Sequence, residues 1–187
     1  MDIKKELRNA LLKEGKHKTH KYEYGCLMVY LKIAKEDWDD LQDKIEDDDL
    51  YQPEDDSSYG REMEPHATIL FGFHSDVKDE DIEKEIDKIK TPKIGFKGIS
   101  SFNNEKFDVL KFDVDSEDMH ELNTKFKKFP HTNNFPDYHP HVTIAYLKPN
   151  MDKKYIEKMN GFEKIPIEID KLVYSKPNGE KKTYELK

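Results

Sequence analysis

The sequence predicts an α+β fold made of two similar lobes that face each other across a central cleft. A short motif occurs twice, at residues 65–69 and 140–144, and each copy is Pro-His-apolar-Thr-Ile. Each copy begins an apolar, β-rich run, and strand and helix patterns alternate along the chain before ending in hairpins. Such alternation favours mixed sheets over a pure doubly wound sheet. We therefore expect a bilobed, pseudo-symmetric fold in which two mixed sheets flank the cleft and the helices lie outside.

Hydrophobic periodicity predicts the elements of the first half. Residues 24–33 form a β-branched and aromatic run long enough for a central strand, and residues 35–45 carry apolar side chains at helical spacing. Residues 46–64 are acidic and contain Pro and Gly, so we expect a long loop, and loops of this length are often functional. The first motif strand, near 65–73, precedes a predicted helix over 79–89 that ends before a proline.

Turn signals and helix caps predict the second half in the same way. Ser116 is a good N-cap for the helix that follows it. The remaining predicted elements are a hairpin of 93–100 with 107–114, an irregular stretch over 129–140, the second motif strand near 140–147, a helix over 153–159 and a hairpin of 165–175 with 183–186.

The length fits one domain built from two intimately packed lobes. The chain has 187 residues, and we expect residues 1–21 to form a charged N-terminal helical arm and residues 22–187 to form one domain with interleaved lobes. The single cysteine, Cys26, excludes an internal disulfide and suits a reducing compartment. No apolar run approaches the roughly 20 residues of a membrane span, and the first residues lack a signal-peptide core. We expect a cytoplasmic monomer, or one in the host cytoplasm if the protein is viral.

The charge balance restricts the class of partner. The formal net charge is −8, whereas proteins that coat long nucleic acids depend on many positive contacts with phosphate. Only Arg8 and Arg61 are arginines, so bidentate guanidinium clamps on phosphate are scarce. An acidic chain can still hold a small anionic substrate with local donors in a cleft.

The duplicated motif predicts the chemistry. Side chains alternate along a strand, so His66 and Thr68 share one face, as do His141 and Thr143. Two histidines on opposite sides of one phosphorus can act as general base and general acid near neutral pH. The threonine hydroxyls can donate to the non-bridging oxygens as charge builds there. This chemistry requires no metal ion or cofactor.

At these motifs the chain resembles the 2H phosphoesterases, a superfamily named for two His-x-Thr/Ser motifs on the halves of a bilobed fold. The resemblance covers roughly residues 22–187. It implies that the two His-x-Thr pairs are catalytic, and that the substrate is a ribonucleotide phosphodiester. The stretches 25–28 and 131–138 are most similar to phage-borne members, among them anti-CBASS nucleases that cleave cyclic di- and trinucleotides. The resemblance therefore favours small ribonucleotide or cyclic oligonucleotide substrates, which aromatic side chains would hold by stacking. The candidates for stacking are Tyr24, Phe102, Tyr138 and Tyr146.

Three alternatives remain open. The substrate could be an RNA 2′,3′-cyclic phosphate end, as in the RNA-processing and 2′-5′ RNA ligase-like members of the superfamily. The chain could bind a nucleotide without cleaving it. A metal-dependent hydrolase is a third reading, although no zinc-binding spacing supports it. Its candidate ligands are His66, His131, Asp137, His139 and His141.

Overall fold

A computed structural model of the chain confirms the α+β class. It describes residues 24–56, 58–133, 135 and 137–186, so the predicted arm over 1–21 lies outside the described residues. No helix among them is long and apolar enough to cross a membrane. The elements are β1 (Gly25–Ile33), α1 (Lys35–Gln42), β2 (His66–Phe73), α2 (Asp79–Ile86), β3 (Gly95–Asn103), β4 (Asp108–Asp115), α3 (Glu117–Phe126), β5 (His141–Leu147), α4 (Asp152–Lys158), β6 (Ile167–Ser175) and β7 (Lys181–Tyr184).

The predicted elements are present, with boundaries that move by a few residues. The helix predicted over 79–89 ends at Ile86, because the chain then tightens into turns and the amide of Ile89 bonds to the carbonyl of Ile86 at 2.9 Å. The predicted cap is confirmed, since the Ser116 hydroxyl accepts a hydrogen bond from the amide of Met119 at 3.1 Å.

The strands form one sheet of seven in the order β3-β4-β5-β2-β1-β6-β7, where the sequence predicted two mixed sheets. Every recorded strand pair is antiparallel. The chain runs through β-α-β-α-β twice, and the last strand of each unit pairs outside that unit. Strand β3 pairs with β4, and β6 pairs with β1. Because the units exchange strands and their motif strands meet at the centre, one continuous sheet results.

The two faces of this sheet have different coverings. Along β1, Leu27, Val29 and Leu31 pack with the helices in the main hydrophobic core. Met28 and Tyr30 lie on the other face in a smaller apolar cluster. The helices therefore cover one face, and the motif histidines are on the opposite face.

The centre of the sheet is held by a short ladder. Among the described residues, β2 and β5 pair only through Ala67 and Val142, both fully buried. Beyond this pair the strands separate. Buried side-chain amides of α1 and α3 then donate to backbone carbonyls of β2 and β5 that the two strands do not use to bond each other. The Asn123 side chain donates to the Ile69 carbonyl at 2.7 Å. The Gln42 side chain donates to the equivalent Ile144 carbonyl at 2.9 Å.

The segments that precede the two motifs complete the same edges. In the long loop over 46–64, the amide of Glu62 bonds to the Ile144 carbonyl at 2.9 Å, so this loop packs along β5. In the irregular stretch over 129–140, the amide of Thr132 bonds to the Gly72 carbonyl of β2 at 2.9 Å. These backbone bonds fix both loops beside the motif histidines.

Gly72 should be intolerant of a side chain because of this close approach. Its φ is +106°, and a Cβ there would lie 1.9 Å from the Thr132 carbonyl oxygen. We expect Gly72→Ala to lower the free energy of unfolding by at least about 2 kcal/mol, measured by urea denaturation. Gly98→Ala is the matched control, since a Cβ at Gly98 meets nothing within 4 Å, and it should stay within about 0.5 kcal/mol of the wild type. Equal stability of the two variants would contradict this account.

Candidate active site

The structure brings the four motif side chains into one cavity of about 260 Å³ on the sheet face opposite the helices. The pair between Ala67 and Val142 sets the register of β2 and β5. In an antiparallel ladder this register places His66 across from Thr143 and Thr68 across from His141. Each imidazole therefore lies directly across the ladder from the threonine of the other motif.

The backbone just before each motif fixes the orientation of the imidazole. The Nδ1 atom of His66 lies 2.8 Å from the carbonyl oxygen of Glu64, and Nδ1 of His141 lies 2.8 Å from that of His139. A carbonyl only accepts, so Nδ1 carries the proton in both rings. Nε2 is then the nitrogen that can exchange a proton with a substrate.

A third Pro-His pair shows that this bond arises locally. His131 follows Pro130 and bonds through Nδ1 to the Phe129 carbonyl at 2.7 Å, two residues back as in the motifs. His131 does not line the cavity. The carbonyl two residues back therefore orients the ring in all three cases, and the position on β2 or β5 brings the ring to the site.

The surroundings of His66 are aromatic. The ring of Tyr30, which is opposite His66 on β1, stacks on the imidazole with centroids 5.3 Å apart and planes 24° apart. The ammonium of Lys171 on β6 lies over the Tyr30 ring, 5.3 Å from its centroid. The stack restricts the rotation of the His66 ring and keeps it aligned with the cavity.

The surroundings of His141 contain charge. Its ring meets Phe102 edge to face at 5.0 Å, and the buried ammonium of Lys111 lies 4.3 Å from the Phe102 centroid. Lys111 donates to the Ser100 hydroxyl at 2.6 Å and to the carboxylate of Asp113, which is opposite His141 on β4. A cation is thus held beside this histidine, with one carboxylate to partner it.

These neighbours shift the titration of His141. Burial is the main cause that lowers the pKa of the His141 ring to about 4. The charges of Lys111 and His66 lower the pKa further, against the hydrogen bond to His139 and the charge of Asp113. His141 is therefore neutral at physiological pH, with an Nε2 lone pair available.

Thr68 lies among groups that are protonated at neutral pH. Burial raises the pKa of the Cys26 thiol to about 12, against a hydrogen bond with the Thr68 side chain, so this cysteine is an inert thiol. Burial also raises the pKa of Tyr138, whose hydroxyl donates to the Thr68 carbonyl at 2.7 Å. The strand edge at Thr68 is thus satisfied by a neutral donor.

The predicted aromatic contacts are brought to the cavity with one exception. Phe102, Tyr138 and Tyr146 line it. Tyr24 does not, because it packs beside the strand end, 5.9 Å from the rings of both Phe71 and His74. The other lining residues, which sequence reasoning did not assign to the substrate, are Glu62, Ile69, Leu70, Phe71, Phe107, Val109, Asn123, Asn133, Phe135, Asp137 and His139.

A longer comparison of the two motif copies could have found four wall residues. An acidic residue stands four positions before each histidine, Glu62 and Asp137, and an aromatic residue stands five positions after it, Phe71 and Tyr146. All four line the cavity. Tyr146 is the only one of them that composition and strand position had suggested as a substrate contact.

The metal-ligand candidates are divided by the structure. Asp137 and His139 line the cavity with the motif histidines, whereas His131 does not. Among the described residues, no group of three or more His, Cys, Asp or Glu side chains is arranged to hold a metal ion.

The low pKa of His141 makes a prediction about stability. Between about pH 6.5 and 4 the unfolded chain binds a proton at this residue and the folded chain does not, so stability falls as the pH falls. After allowance for solvent contact, wild type should lose up to about 2 kcal/mol more than His141→Gln between pH 7 and 4. Urea denaturation across this range measures the difference, and parallel curves for the two proteins would contradict the assignment.

Comparison with known proteins places the chain in a family. A solved structure of Usb1 from Kluyveromyces marxianus with uridine monophosphate is similar in fold, with a TM-score of 0.55 and 10% identity. The alignment covers 88% of this chain and 98% of that one. No curated protein gives a significant match. A model of the 2′-5′ RNA ligase superfamily matches residues 31–180, which include both His-x-Thr strands. The chain therefore belongs to the 2′-5′ RNA ligase superfamily.

Proposed function

We propose that the chain is a metal-independent phosphodiesterase in which His66 and His141 exchange protons with one ribonucleotide phosphodiester. The observation that carries this proposal is the crossed arrangement in the cavity, where each oriented imidazole is opposite the threonine of the other lobe. Such an arrangement supplies a proton-transfer group and a hydroxyl donor on both sides of a bound phosphate.

The different surroundings of the two rings support a different role for each. His141 is neutral and its Nε2 can accept a proton, so it is the general base. His66 is then the general acid, because it is the other oriented imidazole in the cavity with Nε2 available for proton exchange. In a 3′-5′ diester, His141 takes the proton of the 2′-hydroxyl as this oxygen attacks phosphorus. The bond from phosphorus to the 5′-oxygen breaks, and His66 protonates that oxygen. The product is a 2′,3′-cyclic phosphate and a free 5′-hydroxyl.

Hydroxyl groups have to carry much of the phosphate stabilisation. The lining contributed by the described residues includes Thr68 and Thr143 but no lysine or arginine, and it includes Glu62 and Asp137. Donation by the two hydroxyls to the non-bridging oxygens suits one phosphate at the centre of the cavity. Carboxylates on the walls disfavour the additional phosphates of a long strand.

The cavity therefore favours small substrates. We propose cyclic oligonucleotide signals first, in an anti-CBASS-like role in a phage host, which the resemblance of residues 25–28 and 131–138 to phage-borne members supports. Cleavage of RNA 2′,3′-cyclic phosphate ends is the second candidate. The similar fold of Usb1, which was solved with uridine monophosphate, supports a site that holds a single nucleotide.

The catalytic pair makes the first test. We expect His66→Ala and His141→Ala each to lower kcat/KM by at least roughly 10²-fold, the usual scale of acid–base catalysis. The double variant should lose little more than the worse single variant, because the two groups act as a unit. His131→Ala is the matched control, since it removes the same kind of Pro-His ring outside the cavity. Near wild-type activity of His66→Ala, or an equal loss in the control, would reject the proposal.

The attacking group makes the second test. For cyclic dinucleotides with 3′-5′ linkages, replacing the neighbouring 2′-hydroxyl by hydrogen should abolish cleavage and leave binding measurable, because that hydroxyl is the nucleophile. Mass spectrometry of the natural and 2′-deoxy substrates, with and without a strong chelator, measures this. Efficient cleavage of the deoxy substrate, or loss of activity with chelator, would exclude the mechanism. Turnover of 2′,3′-cyclic mononucleotides alone would favour the RNA-end candidate.

A further inference from the structure

The repeat that supplies the histidines also supplies two walls of similar composition. Counted from each histidine, the acidic residue lies at the same distance before it and the aromatic residue at the same distance after it, and all four side chains line the cavity. Each motif thus supplies the cavity with a carboxylate and an aromatic ring in addition to its imidazole and hydroxyl. A site for a phosphate alone has no use for two carboxylates, which repel it.

The wall on the β5 side is enclosed and rigid. Val109 pairs with Tyr146 on β5 and with Phe102 on β3, which forms a row of apolar side chains along the cavity. Tyr146 packs 5.6 Å from Phe107, and the long loop closes over this pair with further aromatic rings. Flat apolar surfaces fixed in this way are suited to stacking a planar ring.

Glu62 is the acceptor of this enclosed wall. Its residue is only 8% exposed, and one carboxylate oxygen accepts the amide of Glu64 at 3.0 Å. The backbone of Glu62 is held as well, because its carbonyl accepts the indole N–H of Trp38 at 3.0 Å and the amide of Gln42 at 3.1 Å. The carboxylate is therefore held in place before any ligand binds.

The wall on the β2 side repeats these parts in a more open form. Asp137 is exposed, and Phe71 and Tyr138 line the cavity beside it. Phe135, also in the lining, is 45% exposed. A ligand that reaches this wall therefore remains partly in solvent.

We propose that the two walls are nucleobase subsites on either side of the scissile phosphate, in which Glu62 and Asp137 select bases that carry an exocyclic amino group. This inference rests on the proposed function and narrows its substrate to a dinucleotide unit. An ionised carboxylate only accepts hydrogen bonds, so it pairs with the amino group of cytosine and opposes the O4 oxygen of uracil. The enclosed Glu62 subsite should discriminate more strongly than the open Asp137 subsite, because water competes less there.

Binding of uncleavable dinucleotides tests the proposal separately from catalysis. The probes are the deoxydinucleotides dCpdC, dUpdU, dCpdU and dUpdC, which match in size and lack the 2′-hydroxyl, titrated by calorimetry. Wild type should bind dCpdC at least about tenfold more tightly than dUpdU. Glu62→Gln should abolish most of this preference at one of the two base positions, which the mixed dinucleotides identify. Asp137→Asn should weaken the preference at the other position.

The matched control is Glu54→Gln, which removes the same charge from an exposed position of the same loop, outside the cavity. This variant should retain the wild-type preference. Equal wild-type affinity for dCpdC and dUpdU, no measurable binding of either, or an equal loss in the control would overturn the proposal. A preference for cytosine without turnover of the ribose forms would support the subsites and reject the proposed function. Turnover of the ribose forms without a base preference would support the proposed function and reject the subsites.

Discussion

The contact between Ala67 and Val142 is the interaction on which the site depends. Both side chains are fully buried, and burying them against the helix layer forces the neighbouring histidines and threonines onto the opposite face. Since the recorded ladder between β2 and β5 consists of this pair, the strands are free to separate beyond it. The separation makes room for the cavity, and side-chain amides and loop backbone satisfy the strand edges that it exposes.

The backbone makes the same contact with both histidines, whereas the side chains around the two rings differ. Both rings are oriented by the carbonyl two residues earlier, so their available nitrogens are equivalent. A stacked tyrosine supports His66, while a phenylalanine edge and a buried ammonium lie beside His141. Burial and the nearby charge of Lys111 lower the pKa of His141, so the two rings differ in environment although they match in orientation.

Local signals predicted the elements well, because periodicity and caps depend on residues close in sequence. The motif strands, the Ser116 cap and the two hairpins are examples. The single sheet could not be predicted in this way, since it depends on pairing between β2 and β5 and between β1 and β6, strands that are distant in sequence. The same contrast between local and distant signals holds for the site. The four motif residues were evident from the duplication, but Tyr24 packs away from the cavity, and Glu62 reaches it through contacts with α1 and β5 that are distant in sequence.

The exchange of β3 and β6 between the repeats has a mechanical consequence. Each is bound along its length to a strand of the other unit, so the two repeat units cannot separate as whole bodies without breaking these ladders. The halves of the sheet that meet at the cavity, β3-β4-β5 and β2-β1-β6-β7, therefore each contain strands of both units, and among the described residues the ladder between them is the single pair of Ala67 with Val142. A change in the angle between these two halves would alter the distance between His66 on β2 and His141 on β5, while the long ladders within each half stay intact.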